Sequence, residues 1–141
     1  MKRRAVLAGM GAALSGLAGC TEIVNSGPSC DPDEYDVGMT MNEFVPEELT
    51  VEVGDTVRWI NDSREGHTVS AFDDSQPDGA EYFASGGFDS LEEAREGWDD
   101  QEGLMYTCDT FEHTFHTPGA HHYVCLPHEA AGMVGTIYVE E

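Results

Sequence analysis

Positive charge is almost missing from this chain. Its only lysine is Lys2, and three of its six basic residues lie in the first four positions. From residue 5 onward Arg58, Arg64 and Arg95 face 28 acidic residues, a net of −25. Such a surface repels polyphosphates, which excludes DNA and RNA as partners. The acids are spread along the whole stretch rather than gathered in one block. That is the pattern of a halophilic protein kept soluble at high salt more than of a single acidic docking face. At molar salt the Debye length is about 3 Å, so charge steers little at long range.

A long apolar run is also missing. Ala5 to Ala18 is uncharged but spans only 14 residues, short of the roughly 20 that a spanning helix needs. Preceded by Lys2, Arg3 and Arg4 and ending in small residues, it reads as a secretory signal over residues 1–19. The Arg3-Arg4 pair resembles a twin-arginine export signal, and Leu17-Ala18-Gly19-Cys20 resembles a lipobox, whose cysteine is lipidated. The expectation is an exported protein facing outward from the cell membrane, anchored by lipid on Cys20 and not by a span. Residues 20–34 are rich in Asn, Ser, Gly and Pro and have no helical or strand period, so they read as a tether. One domain then covers 35–141.

Cysteine is scarce, with four residues: Cys20, Cys30, Cys108 and Cys125. Outside the cell a disulfide is permitted. A Cys30–Cys108 bridge would close a long loop, worth roughly 4 kcal/mol in the chain-entropy model. The sequence leaves open whether the two positions meet.

What is plentiful is alternation. Leu49, Val51 and Val53 alternate with polar neighbours before a Gly54-Asp55 turn. Val57 and Trp59 follow, and His67, Val69 and Ala71 share one face of a third strand. Phe111, His113 and Phe115 precede a Thr117-Pro118-Gly119 turn, His121, Tyr123 and Cys125 lie on one face of the next strand, and Val134 to Val139 closes the series. Short strands between turn residues predict an all-β sandwich. Asp73 to Gly103 interrupts the pattern as a long surface excursion, most simply decoration. Within it Ser90 and Glu93 fit a capping box and Gly97 a stop, which predicts one short helix over about Leu91 to Glu96.

The chemistry concentrates in Tyr123-Val-Cys-Leu-Pro-His-Glu-Ala-Ala-Gly-Met133. Cys125, His128 and Met133 share one loop, so a thiolate, an imidazole and a thioether can converge on one point. His67, opening a strand, is the best fourth donor, with mid-strand His113 its competitor. Two imidazoles and a thiolate with a distant axial methionine form the blue-copper electron-transfer arrangement. Pro127 stiffens the loop, and Gly132 leaves space beside Met133. His113, His116, His121 and His122 suggest a second cluster, but neighbours on a strand alternate faces, so His121 and His122 cannot share a metal.

On these residues the chain resembles the cupredoxins, the blue copper proteins, and within them the plastocyanins and their halocyanin relatives. The likeness covers about Tyr35 to Glu140: the Cys125, His128, Met133 spacing, Gly54-Asp55-Thr-Val-Arg-Trp59-Ile-Asn61 followed by His67-Thr68-Val69, and Phe111-Glu-His-Thr-Phe-His-Thr-Pro-Gly119. The resemblance implies a Greek-key β-sandwich, cupredoxin-like, with one copper ion at its end. It implies a monomeric one-electron carrier, not an enzyme, docking transiently with membrane redox proteins around His128. Leu126, Pro127, Ala130 and Ala131 would supply part of an apolar patch there. Thr68 stands where the family often has asparagine, which leaves the side-chain tie between the ligand loops open, while a backbone N–H to the Cys125 sulfur can survive. Val124 stands where plant plastocyanins have tyrosine, so docking through that tyrosine does not carry over.

Two other functions use the same residues. A copper storage or delivery lipoprotein needs the ligands without redox cycling, and a tetrahedral N/S site also accepts zinc. An oxidase or reductase needs an open coordination position or further histidine-rich copper centres, and the four donors of one site leave neither.

Overall fold

The alternation read along the sequence becomes eight short strands in a computed structural model, which describes Cys30 and residues 35–141. The signal, the lipobox at Cys20 and most of the tether lie outside the described residues. In chain order the elements are β1 (Val37–Met39), β2 (Phe44–Val45), β3 (Glu48–Glu52), β4 (Thr56–Asn61), β5 (Ser70–Ala71), helix α1 (Leu91–Asp99), β6 (Thr110–Thr114), β7 (Gly119–Val124) and β8 (Val134–Glu140). They form two four-stranded sheets, β2-β1-β4-β6 and β3-β8-β7-β5. The pairs β1–β4 and β3–β8 are parallel and the others antiparallel. This is the expected all-β, Greek-key sandwich with one helix in an excursion.

The inner faces interlock around Trp59, which is wholly buried. Its indole lies 5.4 Å from the Tyr123 ring, 5.5 Å from Phe111 and 5.9 Å from Phe83. Aromatic contacts of this kind add to the burial of apolar area, which is the main stabilising contribution of such a core. Because β4 and β7 deliver Trp59 and Tyr123 from opposite sheets, the same packing fixes the ends of both strands, where Asn61 and Val124 lead into the candidate site.

Several expectations are corrected. The third strand is shorter than its pattern: only Ser70 and Ala71 join the ladder, while His67 makes an isolated antiparallel bridge with Met105. Val53 lies past the end of β3 and is 41% exposed. The helix runs three residues beyond Glu96. Gly97 does not stop it but sits inside it, buried, where a Cβ would collide with the Phe88 ring. Its value there is close approach, not termination. The Ser90 hydroxyl accepts the Glu93 N–H at 3.1 Å as expected of an N-cap. Glu93 reaches back one residue further, to the Asp89 N–H at 3.0 Å.

The excursion is also more than decoration. Phe88, Leu91, Ala94 and Trp98 pack with Ala84, and this group covers Val124 and Leu126, the neighbours of Cys125 on either side. A segment without strand pattern thus becomes a wall of the site.

Candidate metal centre

Three donor atoms from two separate parts of the chain meet at one end of the sandwich. Nδ1 of His67 and Nδ1 of His128 each lie 3.5 Å from Sγ of Cys125, and all three atoms fall within 4.8 Å of one another. The rings of His67 and His128 are 4.8 Å apart and tilted by 48°. Among the described residues this is the one group of three or more such donors close enough to hold a metal.

Local structure explains the convergence. Beyond β7 the chain turns at Cys125 into a short 3₁₀ helix, Leu126–Ala131, with Pro127 in its first turn, where a missing N–H leaves no intrahelical bond unmade. The turn brings the His128 N–H to the Cys125 carbonyl at 3.1 Å. Gly132 then ends it with φ +85°, a left-handed conformation that disfavours side chains. A Cβ at Gly132 would meet nothing within 4 Å, so this glycine serves the backbone reversal and not the space beside Met133 that the sequence suggested. Met133 is buried, and its backbone is tied twice: its carbonyl accepts the Cys125 N–H at 3.0 Å and its N–H donates to the His128 carbonyl at 3.3 Å.

His67 is held through its backbone and through its ring. Its backbone exchanges two hydrogen bonds with Met105, at 2.7 and 3.1 Å. Its Nε2 lies 3.0 Å from the Ser63 hydroxyl, which is itself 2.7 Å from Oδ1 of Asn61. If Nε2–H donates to Ser63, the serine hydrogen passes on to Asn61 and the Nδ1 lone pair is left facing the sulfur. The buried Asn61 amide completes the chain by donating to the carbonyls of Glu65, at 2.6 Å, and Met105, at 2.9 Å. Neither Ser63 nor Asn61 was identified from the sequence. The available signal was a polar residue, Asn61, at the end of a strand whose other inward positions are apolar.

The electrostatics act in opposite directions at the two buried donors. Burial pushes the Cys125 thiol up to about 11, against the opposing pull of the Thr68 N–H, which approaches Sγ at 3.4 Å. Burial, assisted by the charge of nearby His128, pushes His67 down to about 4. At neutral pH the protein alone therefore presents a thiol and a neutral imidazole, and a cation must displace the thiol proton to be bound. A thiolate with two imidazoles, two of the three donors buried, suits copper or zinc, not magnesium or calcium.

The side-chain tie that the Thr68 substitution left open is present. The Thr68 hydroxyl accepts the Leu126 N–H at 2.9 Å. Leu126, expected in the apolar patch around His128, is buried and faces the excursion instead, while Ala130 and Ala131 are exposed. Among the described residues the remaining histidines form no second group of three donors. His113 stacks on Phe83 with ring centres 4.7 Å apart, His121 pairs with the Thr117 carbonyl at 2.8 Å, and His122 with the Thr136 hydroxyl at 3.0 Å. Cys30 and Cys108 form a disulfide with Cα atoms 5.1 Å apart, and the Cys108 N–H donates to the Asn61 carbonyl at 2.7 Å.

Comparison with known proteins points the same way. Residues 32–140 match the model of the copper-binding proteins of the plastocyanin/azurin family. The chain is 32% identical over 97 residues to plastocyanin from Scenedesmus fuscus, covering 69% of this chain and 86% of that one. It is 32% identical over 98 residues to the chloroplastic plastocyanin of Chlamydomonas reinhardtii, covering 70% of this chain but 59% of the relative. Amicyanin from Paracoccus versutus superposes with a TM-score of 0.51 at 24% identity, over 79% of this chain and 86% of that structure, a likeness of fold.

Proposed function

The chain belongs to the plastocyanin/azurin family of copper-binding proteins, and from that premise we propose that it carries single electrons on one copper ion held by His67, Cys125, His128 and Met133. The observation that carries this reading is the meeting of two imidazole nitrogens and a thiol within 4.8 Å, in a loop whose end, Met133, is buried and hydrogen-bonded through its backbone to Cys125 and His128. Copper supplies the one-electron Cu(I)/Cu(II) couple. The protein's own contribution is a set of donors positioned before the metal arrives, so that little has to move when its valence changes. Cys125 would give the soft thiolate, His67 and His128 the imidazoles, and Met133 a weak thioether.

Of the four, only His128 is not fully buried. Its ring is therefore the route by which electrons enter and leave, and transient redox partners dock around it beside Ala130 and Ala131. The proposal extends to placement. The Leu17-Ala18-Gly19-Cys20 lipobox and the basic start support export and a lipid anchor on Cys20, with residues 20–34 as tether to a monomeric domain over 35–141. The partners are then membrane redox proteins on the outer face of the cell.

The test is the absorption and electron-spin spectrum of the protein with one equivalent of Cu(II). An intense thiolate-to-copper band is expected, and Cys125→Ser is expected to abolish it. A colourless Cu(II) complex of the unchanged protein would sink the reading. A protein that holds Cu(I) and resists oxidation would favour storage or delivery of copper.

A further inference from the structure

Of the three arginines beyond residue 4, one is committed to the residue after His128. Nη1 of Arg95 meets Oε1 of Glu129 at 2.7 Å and Nη2 meets Oε2 at 3.1 Å, a two-pronged contact across 34 positions of sequence. Arg95 stands on α1 and follows Ala94, which is buried against Val124 and Leu126. Two contacts of different chemistry therefore join the excursion helix to the Cys125–Met133 loop: an apolar one beneath residues 124–126 and an ionic one at residue 129.

We propose that the Arg95–Glu129 pair is a latch by which the excursion helix positions the His128 loop, making Arg95 a positioning residue for the metal centre. The loop needs one. Cys125 and Met133 are fixed by burial and by the pairing of β7 with β8, but between them lie Pro127 to Gly132, none of them fully buried. Apart from its own short turn and the approach of the His128 ring to His67 and Cys125, the described contact that holds this middle part to the rest of the fold is the Arg95 fork. The fork grips both oxygens of one carboxylate, so it restrains the orientation of residue 129 as well as its distance. With its neighbour restrained, the His128 backbone has fewer ways to swing its imidazole away from Cys125. Both partners are partly exposed, 45% and 39% by side chain, so the expected bias is modest, about 2- to 5-fold.

This inference rests on His128 being a copper ligand. The test compares the copper-loaded full chain with Arg95→Gln, Glu129→Gln, Arg95→Lys and the charge swap Arg95→Glu/Glu129→Arg. Readouts are the rate of Cu(I) transfer to an excess of chelator, the reduction potential, and amide exchange of residues 128–132 in the metal-free protein. Both Gln variants should release Cu(I) about 2- to 5-fold faster and exchange those amides faster by a similar factor. Arg95→Lys, with one contact in place of two, should fall between, and the swap should return towards the original rates. The latch is overturned if the Gln variants keep the original release and exchange rates. It is equally overturned if they shift only the potential, in opposite directions, since that is the signature of charge without positioning. Failure of the ligand reading shows separately, as a missing thiolate-to-copper band in the unsubstituted protein.

Discussion

The Thr68 hydroxyl accepts the Leu126 N–H at 2.9 Å, so the residue after one candidate ligand, His67, is hydrogen-bonded to the residue after another, Cys125. The Thr68 N–H points at the Cys125 sulfur from the same place. One residue thus links two loops 57 positions apart by its side chain and its backbone at once. Thr68→Val preserves the shape and removes the acceptor, leaving the Leu126 N–H buried without a partner. The expected loss is about 1–3 kcal/mol, read by denaturant unfolding, together with a shifted charge-transfer band. Thr68→Asn supplies another acceptor and should recover most of both.

Ser63 is an outer partner of His67, with its hydroxyl 3.0 Å from Nε2, alongside the Thr40 backbone. Removing such a partner loosens the ring and lowers the basicity of the nitrogen that faces the metal. Ser63→Ala should weaken copper binding by about 10- to 100-fold, measured by competition with a chelator of known affinity. The unfolding midpoint of the metal-free protein should change far less, because Ser63 is only half buried.

Gly97 separates two expectations that disagree in sign. Helix propensity favours alanine over glycine inside α1 by about 1 kcal/mol. Packing opposes it, because the new Cβ would meet the Phe88 ring. Overpacking of this kind costs about 1–3 kcal/mol, so Gly97→Ala should destabilise the protein. A raised melting temperature would show that the helix can draw away from Phe88.

Two histidines outside the metal centre, buried His121 and half-buried His113, set an acid limit. Burial pushes His121 down, against the hydrogen bond to the Thr117 carbonyl, and pushes His113 down as well. Above pH about 6.5, the ordinary histidine value, neither folded nor unfolded chain binds these protons. As pH falls through that value the unfolded chain takes them up and the folded rings do not, so stability declines until the folded rings titrate in turn. The slope is at most about 1.4 kcal/mol per pH unit for each ring. Urea midpoints of the copper-loaded protein at pH 7.5 and 5.5 should show the decline, and His121→Phe should reduce it.

The sequence alone was enough for the class of fold and for the cluster of donors in the last loop. Period-two alternation is a local property, and Cys125, His128 and Met133 are close enough in the chain for their spacing to carry meaning. The sequence also pointed to His67 as the partner of that loop and left a Cys30–Cys108 bridge open; what failed to show was the set of contacts that supports the site. Thr68 with Leu126, Ser63 with His67 and Arg95 with Glu129 are pairs whose members have no sequence signature, because a hydrogen bond or ion pair requires only that two groups arrive at the same place. The excursion from Asp73 to Gly103 is the clearest case: rich in small and acidic residues, it carries no strand pattern, and it covers the flanks of Cys125 only because Ala94 and Trp98 find an apolar surface that exists once β7 is in its sheet. Local composition determined which side chains could serve a metal. Tertiary packing decided their separation, their protonation and what holds them still, since burial and distance are properties of the folded chain.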